Sequence, residues 1–283
     1  MIHKKDKLKP TQPYFVLETD NFYQEVYLRQ GISHFFTFRL EESKAISIVP
    51  DACIDLIFVY GPEGMESYAA GSVLHCKKFL IEGDREYFGV RFMPGYQPAG
   101  INVLQRDLIE TRINLYDILA DREQTFFQKM SEQKDFYQRI RIFLEEYTKL
   151  EKRRSKPFGK EELVISVKDF VYDSGGLIRI SELSAKTGYS ERYINKVFIE
   201  QMGFPPKTFC RIIRFQRALW RLNYGVTGKM TDLAADLGYY DQSQFIKDFK
   251  QFCGITPKQY MDMAESGQYR KKVHVVPKNT IDN

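Results

Sequence analysis

One pattern of apolar, glycine and aromatic residues is written twice in the last third of this 283-residue chain. Leu183, Gly188, Tyr189, Phe198, Gly203, Pro206 and Phe209 recur as Leu233, Gly238, Tyr239, Phe249, Gly254, Pro257 and Tyr260. The offset is 50 residues up to the tyrosine and 51 beyond it. One residue has therefore entered between the turn glycine and the next helix, where an insertion disturbs packing least. The chain must fold around two equivalent units.

Each unit reads as a short helix, a glycine turn and a second helix, the helix-turn-helix arrangement. In the first, Ile180 and Leu183 supply an apolar edge, Ser181 is the expected cap, and Gly188 closes the helix at positive φ. Ser190 caps the second helix, whose core stripe is Ile194, Val197 and Phe198; Arg192, Asn195, Lys196 and Ile199 face away. In the second unit Thr231 is the expected cap, Leu233, Ala234 and Leu237 pack, and Gly238 turns the chain. Asp241 then caps a helix with Phe245, Phe249 and Phe252 inward and Gln242, Ser243, Gln244, Lys247 and Lys250 outward. Both outward faces carry hydrogen-bonding side chains of the kind that read base edges, Lys on guanine and Asn or Gln on adenine. Between the units, residues 207–222 read as one helix of about 24 Å, a rod suited to holding two recognition helices about one DNA turn (~34 Å) apart. Arg211, Arg214, Arg217 and Arg221 recur along it, a row that reads as a solvated or salt-bridged face.

Charge is placed to match. The chain carries net +5, but residues 179–258 hold 13 basic and 7 acidic side chains while residues 1–149 hold 19 and 22. The positive field sits on the duplicated module, as a polyanionic partner requires. No apolar run approaches the ~18 residues needed to cross a bilayer, and the lysine-rich start, Met1 to Pro10, leads into no apolar segment, so a cytoplasmic protein is expected. Cys53, Cys76, Cys210 and Cys253 lack the close spacing of a zinc site or disulfide framework and read as buried reduced thiols.

The first half has another rhythm. Short extended runs are expected at residues 26–28, 34–39, 46–49, 54–60, 67–70, 78–81 and 87–93, broken by Gly, Pro and Asp, which suits a β-sandwich or small barrel enclosing a cavity. Residues 104–119 read as helical. Residues 122–152 read as a helical hairpin broken at 131–135, with Phe126, Ile140, Phe143 and Tyr147 among its apolar members. Asp51, Asp55 and Arg91 are candidates to line a ligand pocket, with paired buried ions between strands as the alternative. His34 and His75 are isolated and read as structural or surface residues, not metal ligands. The expected organisation is α+β: residues 1–152 a β-rich sandwich- or barrel-like domain with a helical hairpin, 153–160 a linker, 161–265 an all-α double helix-turn-helix domain, and 266–283 a flexible tail.

The double motif closing on Gly254, Ile255, Thr256, Pro257, Lys258, Gln259 and Tyr260, with Arg214, Arg217 and Ala218 in the linking helix, resembles the DNA-binding domain of AraC/XylS-type transcription regulators over about residues 177–261. The run from Pro50 to Phe58, followed by Gly89 to Gly95, resembles a β-rich, cupin-like N-terminal domain of unassigned role found on some of those regulators. The resemblance implies a bacterial transcription regulator that binds promoter DNA with two helices in adjacent major grooves and works with RNA polymerase. Arg192, Asn195 and Lys196 then correspond to contacts of the first reading helix, and Gln242, Ser243, Gln244 and Lys247 to those of the second, with Lys250 on the same face. It implies an N-terminal domain that senses a small effector, forms a homodimer, or both. Two alternatives stay open for that half: a partner or dimerisation module without a ligand, using residues 126–150, or an enzyme such as a thiol alkyl acceptor or metal oxygenase. The sequence displays neither an activated cysteine nor clustered ligands, so no enzymatic activity, cofactor or metal is expected.

Overall fold

The computed structural model describes residues 9–19, 21–119, 124–224 and 229–275; residues 1–8 of the lysine-rich start and 276–283 of the expected tail lie outside them. In chain order the elements are α1 (Pro13–Glu18), β1 (Asn21–Val26), β2 (Ile32–Leu40), β3 (Lys44–Ile48), β4 (Ile54–Gly61), β5 (Gly64–Gly71), β6 (Lys77–Ile81) and β7 (Arg85–Phe92). A 3-10 turn (Gln105–Leu108), β8 (Arg112–Asn114), α2 (Leu115–Ile118), α3 (Gln124–Glu132) and α4 (Phe136–Arg153) complete the first half. The second half comprises α5 (Lys160–Asp173), α6 (Ile180–Thr187), α7 (Glu191–Met202), α8 (Pro206–Tyr224), α9 (Met230–Asp236), α10 (Gln242–Cys253), α11 (Pro257–Ser266), α12 (Tyr269–Lys272) and β9 (His274–Val275). The fold is α+β, as the two sequence rhythms require.

Seven strands form one sheet in the order β8-β5-β4-β7-β2-β1-β9, and β3 pairs with β6 in a separate ribbon. The central strands are buried on both faces, which is why β2 and β7 read as nearly continuous apolar runs rather than alternating ones. On one face Phe35, Phe58, Phe88 and Phe92 meet Phe126, Phe143 and Tyr147 of the α3–α4 hairpin. The apolar side of that hairpin thus covers its own sheet. On the other face Phe36, Phe38, Ile57 and Tyr87 belong to a core that continues through α1 into the helical half.

Several local expectations are corrected. Residues 104–119 are not one helix: Glu110 sits at φ +57° and Arg112–Asn114 pair with β5, so edge pairing of the sheet overrides helical propensity. The first strand ends at Val26 instead of starting there, and α1, entered through Pro13 at its first turn, precedes it. Ser181 and Thr231 lie inside their helices, which are preceded by Arg179 and Lys229 at the cap positions. The tail expected to be flexible from residue 266 is docked as far as β9: Tyr269 is buried, Lys272 Nζ donates to Leu17 O at 3.0 Å, and β9 pairs in parallel with β1.

Candidate DNA-binding surface

The two helix-turn-helix units are built alike. Gly188 ends α6 at φ +75°, and the Ser190 hydroxyl accepts the Tyr193 N–H to start α7. Gly238 follows α9 at φ +72°, and the Asp241 carboxylate accepts the Gln244 N–H to start α10. The extra residue lies in the second turn, between Gly238 and Asp241, as the offset requires. Ile194, Val197 and Phe198 of α7 and Phe245, Phe249 and Phe252 of α10 are buried. They pack onto α8, with Phe198 5.8 Å from Phe209 and Phe215 5.3 Å from Phe249. At about 1.5 Å per residue α8 is a rod of roughly 28 Å.

The four arginines of α8 brace this frame. Arg211 pairs with Asp248 at 3.0 Å and lies over Phe252. Arg214 lies over Tyr239, Arg217 donates to Gly175 O at 2.9 Å, and Arg221 pairs with Asp236 at 3.1 Å. Asp236, Tyr239, Asp248 and Phe252 belong to the second unit and Gly175 to the turn before the first, so the row fastens α8 chiefly to the second unit.

Arg192 and Lys196 of α7 and Ser243, Gln244, Lys247 and Lys250 of α10 are exposed, with Asn195 and Gln242 half-buried beside them. Two of these amides are committed locally. Asn195 Nδ2 donates to Glu191 O at 2.9 Å, and Gln244 Oε1 accepts the Tyr240 N–H at 3.3 Å. Lys196 lies 3.9 Å from Glu200, which also pairs with Lys160 at 2.7 Å. Three exposed tyrosines stand in or just before the first turn of these helices, Tyr189, Tyr193 and Tyr240; of these the sequence pattern uses only Tyr189, as a mark of the repeat. The available signal was an aromatic directly before each N-cap.

Asp51, Asp55 and Arg91 meet, and none of the three lines the cleft described below. Arg91 is 4% exposed; its Nε donates to Asp55 Oδ1 at 2.8 Å, its Nη2 also bonds Asp55, and Asp51 lies 3.8 Å away. The cluster locks β4 to β7 and, through Gln12 Nε2 on Asp51 at 2.8 Å, the N-terminal segment. Burial lifts the Asp55 carboxyl above its ordinary range against the pull of Arg91. Burial, then Arg91, holds His34 well below the usual imidazole range, so the ring stays neutral. Among the described residues no group of three or more His, Cys, Asp or Glu side chains is placed to hold a metal.

The two halves share a tight interface. Gln216 of α8 donates to Pro50 O at 2.8 Å and accepts the Thr11 N–H at 2.9 Å; Tyr14 OH donates to Cys253 O at 2.7 Å. Both α7 and α10 touch the sheet domain at their terminal glycines. Gly203 abuts Arg106 and Ile109, and Gly254 abuts Cys76. Beside this interface lies a cleft of about 1730 Å³ lined by Tyr96, Arg154, Lys168, Met202, Arg217 and Trp220, among others. Lys168 Nζ donates to Gly95 O there, and burial pulls this amine down to about 8. Burial pushes the thiols of Cys53, Cys76, Cys210 and Cys253 up, the direction opposite to an alkyl-accepting thiolate. Among the described residues no helix is long and apolar enough to cross a membrane.

Comparison with known proteins divides the chain in the same way. Residues 183–263 match the model of a helix-turn-helix domain, and residues 25–114 match a domain of unknown function (DUF6597). An uncharacterised HTH-type transcriptional regulator of Staphylococcus aureus is 35% identical over 83 residues, 29% of this chain and 11% of that one. The F1 operon positive regulatory protein of Yersinia pestis is 35% identical over 83 residues, 29% of this chain and 27% of its own length. The chain thus spans about a tenth of the length of the first of these relatives. Among solved structures, ToxT of Vibrio cholerae aligns over 83% of this chain and 98% of its own, at 12% identity and TM-score 0.44. A probable AraC family transcriptional regulator of Rhodopseudomonas palustris aligns over 36% of this chain and 97% of its own, at 26% identity and TM-score 0.34.

Proposed function

We propose that this chain, whose C-terminal domain is a helix-turn-helix domain of the AraC type, is a sequence-specific transcription regulator that binds promoter DNA through α7 and α10 in adjacent major grooves and acts with RNA polymerase. One observation carries the reading: two capped helices on one rod each present exposed cationic and hydrogen-bonding side chains, Arg192 and Lys196 on one and Ser243 and Lys247 on the other. Lysines and arginines on phosphates supply affinity, and side chains at base edges supply sequence choice. The faces differ, so the two half-elements differ and stand in fixed order.

The sheet domain is the regulatory half in this reading, with the cleft beside α5 as the place where a small effector acts, because its walls come from both domains. A ligand that fills it bridges the halves and biases how they dock.

Binding of the full-length chain to a selected duplex and to random duplex tests the DNA-reading role. Lys196→Ala and Lys247→Ala each remove a base contact worth about 1–3 kcal/mol and weaken the selected site far more than random duplex. Equal losses on both duplexes would assign the lysines to the phosphate backbone. For the cleft, candidate metabolites are screened by thermal shift, where a ligand bound only to the folded state raises the melting temperature; a hit whose effect survives a bulky substitution on the cleft wall such as Ser155→Trp binds elsewhere.

A further inference from the structure

Counted back from the N-caps, the two reading helices share a stripe that the sequence offset hides. Tyr189 precedes Ser190 and Tyr240 precedes Asp241. Four residues on stand Tyr193 and Gln244, and seven residues on stand Lys196 and Lys247. The inserted residue of the second copy gives its turn two tyrosines, and the structure divides their work. Tyr239 is 7% exposed, 5.3 Å from Phe245 with Arg214 over its ring, whereas Tyr240 is 95% exposed. In the first copy the single tyrosine, Tyr189, is 46% exposed and stacks on Tyr193 at 5.2 Å. Packing therefore explains Tyr239 and leaves Tyr240 without a structural reason. The bond from Tyr240 N–H to Gln244 Oε1 sets this residue at the head of the stripe that runs on to Lys247.

We propose that Tyr189 and Tyr240 are further specificity-determining residues, each laying its ring against a thymine 5-methyl group at the same place in its half-element. The proposal rests on the DNA-reading role of α7 and α10. A recognition helix meets base edges with its N-terminal residues, and the thymine methyl is the apolar feature of the major groove. An aromatic ring in water beside hydrogen-bonding side chains and in a domain segment of net +6 is continuous with that reading face. From each N-cap to its lysine the six residues rise about 9 Å, and each tyrosine stands one residue before its cap, a spacing close to three base-pair steps at about 3.4 Å each. Each half-element then contains a thymine and, about three steps away, a guanine for the lysine. That pair is the part common to both halves. The positions where the copies differ, Arg192 against Ser243 and Ile199 against Lys250, tell the halves apart.

The test uses the full-length chain and an operator selected from random duplex. The two half-elements are expected to share a thymine and a guanine about three steps apart. Replacing the second-half thymine by deoxyuridine removes only the methyl group and should weaken binding about fourfold, the equivalent of one buried methyl. In Tyr240→Ala the same replacement should cost nothing further, and Tyr240→Phe should behave as wild type. The Tyr189→Phe variant and deoxyuridine in the first half give the matching arm. Because Tyr240 is in solvent, an unchanged melting temperature of Tyr240→Ala shows that folding is intact. Deoxyuridine sensitivity that persists in Tyr240→Ala overturns the proposal, as does a Tyr240→Phe loss equal to that of Tyr240→Ala, which would assign the hydroxyl to a phosphate. If Lys247→Ala weakens binding and Tyr240→Ala does not, this proposal fails and the DNA-reading role stands. A wild-type chain that selects no sequence overturns both.

Discussion

Gly203→Ala probes how firmly the sheet domain holds the reading helices, and the chain contains its own control. Gly188 and Gly203 both end helices in the left-handed region, at φ +75° and +84°. A Cβ on Gly188 meets open space, but a Cβ on Gly203 stands 2.9 Å from Ile109 Cγ1 and 3.0 Å from Arg106 Cα. The second neighbour is backbone, so rotating a side chain cannot relieve it. Alanine at either position costs about 1–2 kcal/mol for the left-handed conformation. At Gly203 the forced contact adds about 1–3 kcal/mol. The measurement is equilibrium urea unfolding of both variants, with limited proteolysis of the 154–159 segment as a second readout. Gly203→Ala should lose at least 1 kcal/mol more than Gly188→Ala, or, if the domains part to relieve the clash, should be cut several-fold faster in that segment. Equal stability losses together with equal cleavage rates would refute the docking of α7 on the 3-10 turn. Gly254→Ala, 3.2 Å from the flexible Cys76 Sγ, should fall between them.

Arg91→Ala leaves Asp55 and Asp51 without their cation in the core and should destabilise the chain by about 3–5 kcal/mol in the same urea assay, whereas Arg91→Met with Asp55→Leu, which leaves Asp51 its hydrogen bonds from Gln12 and the Cys53 N–H, should cost less; a double variant as unstable as the single would mean that Asp51 also needs the cation. Lys168 gives a pH signature. Its amine is lowered from 10.5 to about 8, so between those values the unfolded chain binds more protons than the folded one, and stability gained from this site rises with pH. The free-energy difference between wild type and Lys168→Met should therefore shift in favour of wild type as pH goes from 8 to 10.5; a difference that does not change with pH would show that the amine titrates normally.

Legibility followed the range of the interactions involved. The two helix-turn-helix units were readable because their determinants are local: glycines at positive φ, Ser190 and Asp241 as caps, and phenylalanines at helical spacing. Tyr189 and Tyr240 were missed as exposed residues because aligning the copies through their glycines pairs Tyr189 with Tyr239, and only burial tells the core tyrosine from the solvent one. The helix expected at residues 104–119 failed for a non-local reason, since β5 claims residues 112–114 for its edge. Asp51, Asp55 and Arg91 meet in space, and the ion cluster they form is completed by Gln12, which no local pattern places beside Asp51.

The docked tail and the shared core bear on how regulation is built. The face of β2 and β7 that carries Phe36, Phe38 and Tyr87 belongs to one continuous core with α1, the β3–β6 ribbon and the helical half. Burying such rings is favourable by about 1.5–3 kcal/mol each, so undocking costs core, and the frame in which α7 and α10 stand is set by the sheet domain as much as by α8. Thr11 joins Gln216 to Tyr269, and Tyr14 joins β3's neighbour α1 to the end of α10, so the N-terminal segment is a wedge common to both halves. On the proposed reading, a ligand in the cleft would have no need to move a side chain of α7 or α10. It would act by favouring or opposing the docked arrangement, and because binding free energies are linked, whatever factor it imposed on DNA affinity, DNA would impose on it. On that reading, substitutions at Gly203 or Gly254 should alter the coupling while leaving the proposed base-contacting residues in place.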